Sequence, residues 1–183
     1  MAGDSNANTP AYEVLIIGGR SGSGKSSLGW EISACLQTAS VAHCFIEGDF
    51  LDQAYPAPEG DPSRTRLTED NLAALWGNYA RLGYRRLIYT NTVSILESDL
   101  VVRAMGGNVR TTGVLLTADA ETVRARLGGR EVGSQLEAHL ERSARMSAYL
   151  DEHKPAWVVR LPTGDRGLPE LAETAIALTG WTG

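Results

Sequence analysis

Apolar and polar positions along the chain fall into two alternating periods. Tyr12 to Ile17 is a short apolar block rich in β-formers, and it runs into a cluster of glycines and serines. A stretch with helical spacing follows, in which Leu28, Ile32, Cys35 and Leu36 fall at i, i+4, i+7 and i+8 and the pattern fades near Ala39. The spacing predicts strand, loop, helix. A second strand is predicted over Val41 to Ile46, closed by Glu47, Gly48 and Asp49. The loop after it carries Pro56, Pro58, Gly60 and Pro62, too many breakers for a helix or inner strand, and is the candidate substrate-facing loop. Thr68 then opens a helix with an acidic first turn, Glu69 and Asp70, and apolar positions Leu72, Leu75, Trp76 and Tyr79, ending near Gly83. Arg86 to Thr90 reads as a third strand, Glu97 to Met105 as a helix stopped by Gly106 and Gly107, and Val109 to Thr117 as a fourth strand. Ala120 to Leu127 and Ser134 to Asp151 read as helices, Trp157 to Leu161 as a fifth strand, and Leu168 to Leu178 as a closing helix.

Strands and helices alternate strictly, and parallel neighbours need a crossover helix between them, so the fold class is α/β: three layers around a mostly parallel five-stranded sheet. Residues 12–183 are expected to form one such domain after a flexible tail over 1–11. The right-handed crossover rule puts the loops that follow the strands along one edge of the sheet, where ligands of such folds bind. The search for function belongs there.

Composition narrows the partners. In 183 residues, 43% hydrophobic and 21% charged, there is room for one well-buried core. A formal charge of −5 disfavours a protein whose task is to coat nucleic acid or an anionic membrane. The longest aliphatic run, Val14 to Ile17, is far short of the roughly 18 residues of a membrane helix. Residues 1–11 lack the basic start and apolar stretch of a secretory signal, so the expected compartment is the cytosol. Cys35 and Cys44, nine positions apart, fit no metal or redox spacing and are expected as buried apolar filler.

After the first strand stands Gly19-Arg20-Ser21-Gly22-Ser23-Gly24-Lys25-Ser26, a full match to G-x-x-x-x-G-K-[ST] in its required strand-to-helix setting. Only Lys25 and Lys154 occur against fifteen arginines, so a scarce lysine falls where a β/γ-phosphate needs a compact cation on a flexible stem. The glycines let successive backbone N–H groups turn inward as an anion nest, and the helix beginning near Lys25 adds its positive end. Gly22, Ser23, Gly24, Lys25, Ser26 and Ser27 are therefore the expected nucleotide-binding residues. Ser26 supplies a hydroxyl oxygen to the Mg²⁺ that accompanies the nucleotide.

The rest of the chain selects among reactions. A guanine-reading N-K-x-D is absent, because the two lysines follow Gly24 and His153. The third strand ends Leu87-Ile88-Tyr89-Thr90-Asn91, without the carboxylate of a motor ATPase; the nearest acids are Asp49, after the second strand, and Asp119, which as readily caps the next helix.

With these residues in place, the chain resembles the small P-loop metabolite kinases, the group that includes gluconate, shikimate and adenylylsulfate kinases, over about residues 12 to 180. Glu47-Gly48-Asp49 looks like the D-G-D of gluconate and adenylylsulfate kinases, with Glu for the first Asp. The resemblance assigns Asp49 a place between acceptor hydroxyl and metal, where a carboxylate can accept the hydroxyl proton. Leu67-Thr68-Glu69-Asp70-Asn71 resembles the L-T-D-x-D-R stretch of gluconate kinases, with Asn71 in place of Arg, though it is also an ordinary helix start. Arg126-Leu127-Gly128-Gly129-Arg130-Glu131 resembles the mobile lid of this family, about residues 124–136, and a lid arginine can neutralise charge on the moving phosphoryl group. Arg126 and Arg130 are the expected catalytic arginines and Arg124 a surface residue. Arg20, Arg64 and Arg66 are weaker candidates for gripping an anionic substrate. Thr90-Asn91-Thr92 either presents polar groups to an acceptor or is a plain strand end. The three histidines, one placed in a strand, receive no chemistry, and the four tryptophans are expected to be packing residues.

The expected activity is transfer of the γ-phosphoryl group of ATP to a hydroxyl of a small metabolite, using Mg²⁺, with Lys25, Asp49, Arg126 and Arg130 catalytic and Ser26 and Asp49 at the metal. The alternative is a regulatory or ATP-hydrolysing P-loop protein. The expected partner is a small-molecule acceptor, with no nucleic acid or membrane.

Overall fold

The computed structural model describes residues 11–128 and 135–182. Five strands, β1 (Tyr12–Gly18), β2 (Cys44–Glu47), β3 (Arg86–Thr90), β4 (Val109–Thr117) and β5 (Val159–Pro162), form one sheet in the order β2-β3-β1-β4-β5. Every neighbouring pair is parallel, with Ile16 opposite Tyr89 and Ile17 opposite Val114. Six helices connect and cover them: α1 (Lys25–Thr38), α2 (Thr65–Arg81), α3 (Ser98–Ala104), α4 (Ala120–Gly128), α5 (Gln135–His153) and α6 (Leu168–Thr179).

The central strand explains the layers. Successive side chains of β1 point to opposite faces. Leu15 and Ile17 pack with Leu28 and Ile32 of α1 and with Leu171 and Ile176 of α6. Val14 and Ile16 pack on the other face with Leu72 and Trp76 of α2, Leu100 of α3 and Leu150 of α5. Burial on both sides is why β1 reads as an unbroken apolar run rather than an alternating one. Each such Leu or Ile contributes about 1.5 to 3 kcal/mol when fully buried.

Three elements start two or more residues away from the sequence reading. β2 starts at Cys44 rather than Val41, because Val41 N–H turns back to the Leu36 carbonyl at 2.9 Å and closes the end of α1. His43 therefore stands before the strand, its Nδ1 2.8 Å from the Val41 carbonyl and its Nε2 2.8 Å from Ser33 Oγ. α2 starts at Thr65, one turn before Thr68. The Asp61 carboxylate accepts from Leu67 N–H at 2.9 Å, while Thr68 Oγ1 donates to the Arg64 carbonyl at 2.9 Å as an interior helical threonine does. β5 starts at Val159, which leaves Trp157 outside it.

Of the tryptophans, Trp76 and Trp181 are buried, but Trp30 and Trp157 are 62% and 45% exposed and so are not core residues. Cys44 is buried as expected and Cys35 only half-buried. Asp119 caps α4: its carboxylate accepts from Thr122 N–H at 2.7 Å and from Thr122 Oγ1 at 3.0 Å.

β1 and β3 are neighbours, yet α1 and α3, which follow them, cover opposite faces. That divergence opens a crevice at the strand ends, the place where open α/β sheets hold ligands.

Candidate active site

The loop between β1 and α1 forms the floor of the crevice. Gly24 has φ 99°, a conformation that strains any residue with a Cβ, and it ends the loop without a side-chain cap on α1. The first helical bond runs from Leu28 N–H to the Gly24 carbonyl at 2.9 Å. The amides of Lys25, Ser26 and Ser27 lie ahead of it and have no partner within the helix, so they remain for an anion. The Ser23 amide is turned to the Arg20 carbonyl at 3.2 Å, and the Ser23 hydroxyl is buried without a partner among the described residues.

A cleft of about 440 Å³ opens over this floor, lined by Gly22, Gly24, Lys25, Ser26, Asp49 and Arg126 among others. Lys25 is only 9% exposed, and its Nζ lies 3.4 Å from the Arg20 carbonyl. Burial holds its pKa below that of an ordinary lysine, and the charges of Asp49 and Glu47 oppose the shift. An ammonium this dehydrated gains strongly from an anionic ligand.

Asp49 reaches the cleft because of the glycine before it. A Cβ at Gly48 would strike the Tyr89 hydroxyl and come within 2.7 Å of Tyr89 Cζ, so only glycine lets the chain turn this tightly over β3. Desolvation raises the Asp49 pKa, Lys25 opposes the rise, and Glu47 and Asp52 add to it. The carboxylate is thus more basic than usual and still under the influence of the Lys25 charge.

The loop is clamped from the far side. Arg126 Nη1 donates to the carbonyls of Gly22 at 3.3 Å and Ser23 at 3.0 Å, and reaches Thr163 Oγ1 at 3.4 Å. Arg126 thus lies in the cleft wall with its guanidinium on the loop backbone. Arg20 Nη2 donates to the carbonyls of Ala118 and Asp119, both at 3.1 Å, which ties the loop to the end of β4 and takes this arginine out of contention as a substrate grip. Arg64 Nε is committed to the Ala54 carbonyl at 3.1 Å, and Arg124 pairs with Glu137 on the surface. Asn91 closes a turn, its side-chain oxygen accepting from Val93 N–H at 3.1 Å. Arg130 lies outside the described residues, as do positions 129–134 of the expected lid and all but the last residue of the expected 1–11 tail.

Two residues of α5 belong to this site and carry no local motif. His139 lines the cleft, and Ser143 Oγ donates to the Ser21 carbonyl at 3.1 Å. Ser143 had a signal: a hydroxyl on the stripe that Leu136, Leu140 and Leu150 make apolar. A second hollow, about 430 Å³, opens at the ends of β4 and β5 and is lined by Thr117, Asp119, Gly164 and Arg166 among others.

Among the described residues no cluster of three or more His, Cys, Asp and Glu could hold a metal ion by itself. Ser26 and Asp49 bring two hard oxygen donors to one cleft. That set suits Mg²⁺, which keeps several waters and takes one or two protein oxygens alongside substrate phosphates.

No family model and no curated protein matches the chain. Solved structures do. A gluconokinase from Sinorhizobium meliloti is 20% identical with a TM-score of 0.57, covering 94% of each chain. The Mycobacterium tuberculosis APS kinase, solved in complex with AMPPNP and APS, is 18% identical with a TM-score of 0.53, covering 93% of this chain and 98% of that one. A tunicamycin resistance protein from Deinococcus radiodurans is 20% identical with a TM-score of 0.62, covering 92% of this chain and 96% of that one. The chain therefore has the fold of the small P-loop kinases. Among the described residues no helix is long and apolar enough to cross a membrane.

Proposed function

We propose that this chain, with its small P-loop kinase fold, transfers the γ-phosphoryl group of ATP to a hydroxyl of a small molecule. One observation carries the reading: a nearly buried ammonium, Lys25, and a carboxylate of raised basicity, Asp49, share one cleft over a loop of unpaired helical amides. Phosphoryl transfer asks mainly for positioning and charge stabilisation, and this cleft supplies both.

In the proposed mechanism the Lys25 ammonium and the amides of Lys25, Ser26 and Ser27 hold the β- and γ-phosphates, with Gly22 and Gly24 shaping the loop around them. Ser26 and Asp49 would hold Mg²⁺, which when bound neutralises charge on the phosphate oxygens. The hollow at the ends of β4 and β5 offers room for the nucleoside. The acceptor oxygen bonds to the γ-phosphorus, the bond to the β–γ bridging oxygen breaks, and ADP leaves with its electron pair. The hydroxyl proton passes to the Asp49 carboxylate. Burial raises the proton affinity of the Asp49 carboxylate and the Lys25 charge opposes the rise, which leaves Asp49 ionised and within reach of the acceptor proton. Arg126 keeps the loop in shape, and Arg130 is the proposed partner of the phosphoryl charge in flight.

Asp49→Asn separates this reading from a nucleotide-binding module or an ATP hydrolase. In an ADP-release assay over hydroxyl-bearing metabolites, a kinase shows acceptor-stimulated turnover that falls about 10²- to 10⁴-fold in the variant. ATP affinity stays. Acceptor-independent release, or stimulated turnover that survives Asp49→Asn, contradicts the proposal.

A further inference from the structure

The cleft over the phosphate loop and the hollow at the ends of β4 and β5 share no described lining residue, yet one side chain bonds the two together. That residue is Arg20. Just before it the loop presses on the sheet: a Cβ at Gly19 would come within 2.8 Å of the Leu116 carbonyl oxygen and 2.7 Å of Ser23 Oγ, so the chain crosses the end of β4 this closely only as glycine. Arg20 Nη2 then donates to the carbonyls of Ala118 and Asp119, both at 3.1 Å, and both of these residues line the hollow. The carbonyl of the same arginine accepts from Ser23 N–H at 3.2 Å and from Lys25 Nζ at 3.4 Å, and Lys25 lines the cleft. Through its guanidinium Arg20 holds the wall of one space, and through its backbone the cation of the other.

Packing alone does not call for an arginine here. Arg20 is only 7% exposed, and its Nε has no hydrogen-bond partner among the described residues, so the charge stands dehydrated and incompletely bonded. An apolar side chain of similar length would fill the place without that cost. What the arginine adds is the pair of bonds to the β4–α4 turn. A second link between the two spaces runs from Arg126 Nη1 to Thr163 Oγ1 at 3.4 Å and from there to the Thr117 carbonyl at 3.3 Å. It arrives from α4, and both of its bonds are longer than those of Arg20. The direct link is the loop's own residue.

We infer that Arg20 is a positioning residue for the nucleotide: by fixing Ala118 and Asp119 against the phosphate loop it sets the spacing between the nucleoside hollow and the Lys25 floor, so that both halves of a nucleoside triphosphate are gripped at once. The inference rests on the nucleotide-binding part of the reading above and adds the residue that couples its two subsites. A ligand held at both ends gains from a preset spacing, because the second contact then forms without a further ordering cost. A ligand confined to the phosphate floor gains nothing from it.

The test compares two ligands by calorimetry with Mg²⁺ present: ATP, which spans both subsites, and inorganic tripolyphosphate, which fills the phosphate floor alone. In the intact chain ATP should bind about thirtyfold or more tighter than tripolyphosphate. Arg20→Met keeps the bulk of the stem and removes the donors, so it should cut that ratio about tenfold while tripolyphosphate affinity stays within about threefold of the intact chain. Arg20→Lys keeps the charge and one donor group and should cut the ratio only about threefold. Should Arg20→Met fail to fold, as read by circular dichroism, the smaller loss in Arg20→Lys carries the test. A ratio unmoved in the folded variants, or equal losses for both ligands, which a purely structural or purely electrostatic role would give, overturns the inference and leaves the nucleotide reading standing. ATP no tighter than tripolyphosphate in the intact chain overturns it as well. No binding of either ligand to the intact chain overturns the nucleotide reading and this inference with it.

Discussion

Arg126 Nη1 and the Ser23 carbonyl are 3.0 Å apart although 103 positions separate them in sequence. The bond joins α4 to the phosphate loop, and the same nitrogen also reaches Gly22 and Thr163. Removing it frees the loop carbonyls to reorient and disorders the amides opposite them. Arg126→Ala should weaken ATP binding by about 1 to 2 kcal/mol, roughly five- to thirtyfold, as read by calorimetry. Arg126→Lys should rescue in part, because all three contacts come from one nitrogen and an ammonium carries three donors, though on a shorter stem. Full ATP affinity in Arg126→Ala would remove the clamp from the account.

Ser143→Ala leaves the Ser21 carbonyl without the donor it now has at 3.1 Å, in a site where Ser143 is 4% exposed. Ser21 lines the cleft and is half-buried, so loss of the bond costs about 0.5 to 1.5 kcal/mol, which for a chain of this size lowers Tm by about 2 to 4 °C per kcal/mol. Thermal unfolding followed by circular dichroism checks the shift, and an unchanged Tm would mean that α5 does not brace the loop.

Gly48→Ala places a methyl against the Tyr89 ring and, 2.9 Å away, Asn91 Cβ. Backbone and buried ring cannot both stay, so the turn carrying Asp49 should shift. We expect kcat to fall about a hundredfold or more from a displacement of about an ångström, with ATP affinity nearly unchanged because Lys25 belongs to the separate loop after β1. Equal losses in kcat and ATP affinity would show that the phosphate floor moved too.

The pH profile follows from the two shifted groups. Asp49 acts deprotonated and its pKa is raised, so kcat/KM should climb with pH through a point above the usual aspartate range. Lys25 acts protonated and its pKa is lowered by burial, so ATP affinity should decline at high pH sooner than an ordinary lysine would allow. Initial rates and ATP titrations across pH 4 to about 10.5 measure both limbs. An acid limb at the ordinary aspartate value would place the proton on another group.

What the sequence made legible was local. The loop from Gly19 to Ser26 declares itself because its chemistry depends on consecutive amides, and the layers follow from β1 being apolar on both faces. The misplaced start of α2 has a physical reason: the acid that serves its first turn, Asp61, sits six residues before its partner Leu67, while Thr68, which has the composition of a cap, bonds backward. The clamps from Arg126, Arg20 and Ser143 span 98 to 122 positions, and no spacing rule reaches that far. Arg20 illustrates the point: inside a phosphate motif an arginine suggests a ligand, yet its hydrogen bonds end on the chain's own carbonyls. Trp30 and Trp157 do pack, Trp30 edge-on against Phe45 at 4.8 Å and Trp157 over Gly113, but with one side each left exposed, a difference from Trp76 and Trp181 that only the assembled surface shows.

The central claim is that the loop after β1, with Lys25 at its floor, grips a nucleoside triphosphate. Calorimetric titration of ATP with Mg²⁺ into the intact chain and into Lys25→Ala tests it most directly. The expected result is one site per chain in the first, and binding weakened about a hundredfold in the second, the equivalent of roughly 2.7 kcal/mol. Equal affinity in both proteins, or no heat of binding in the first, would contradict it.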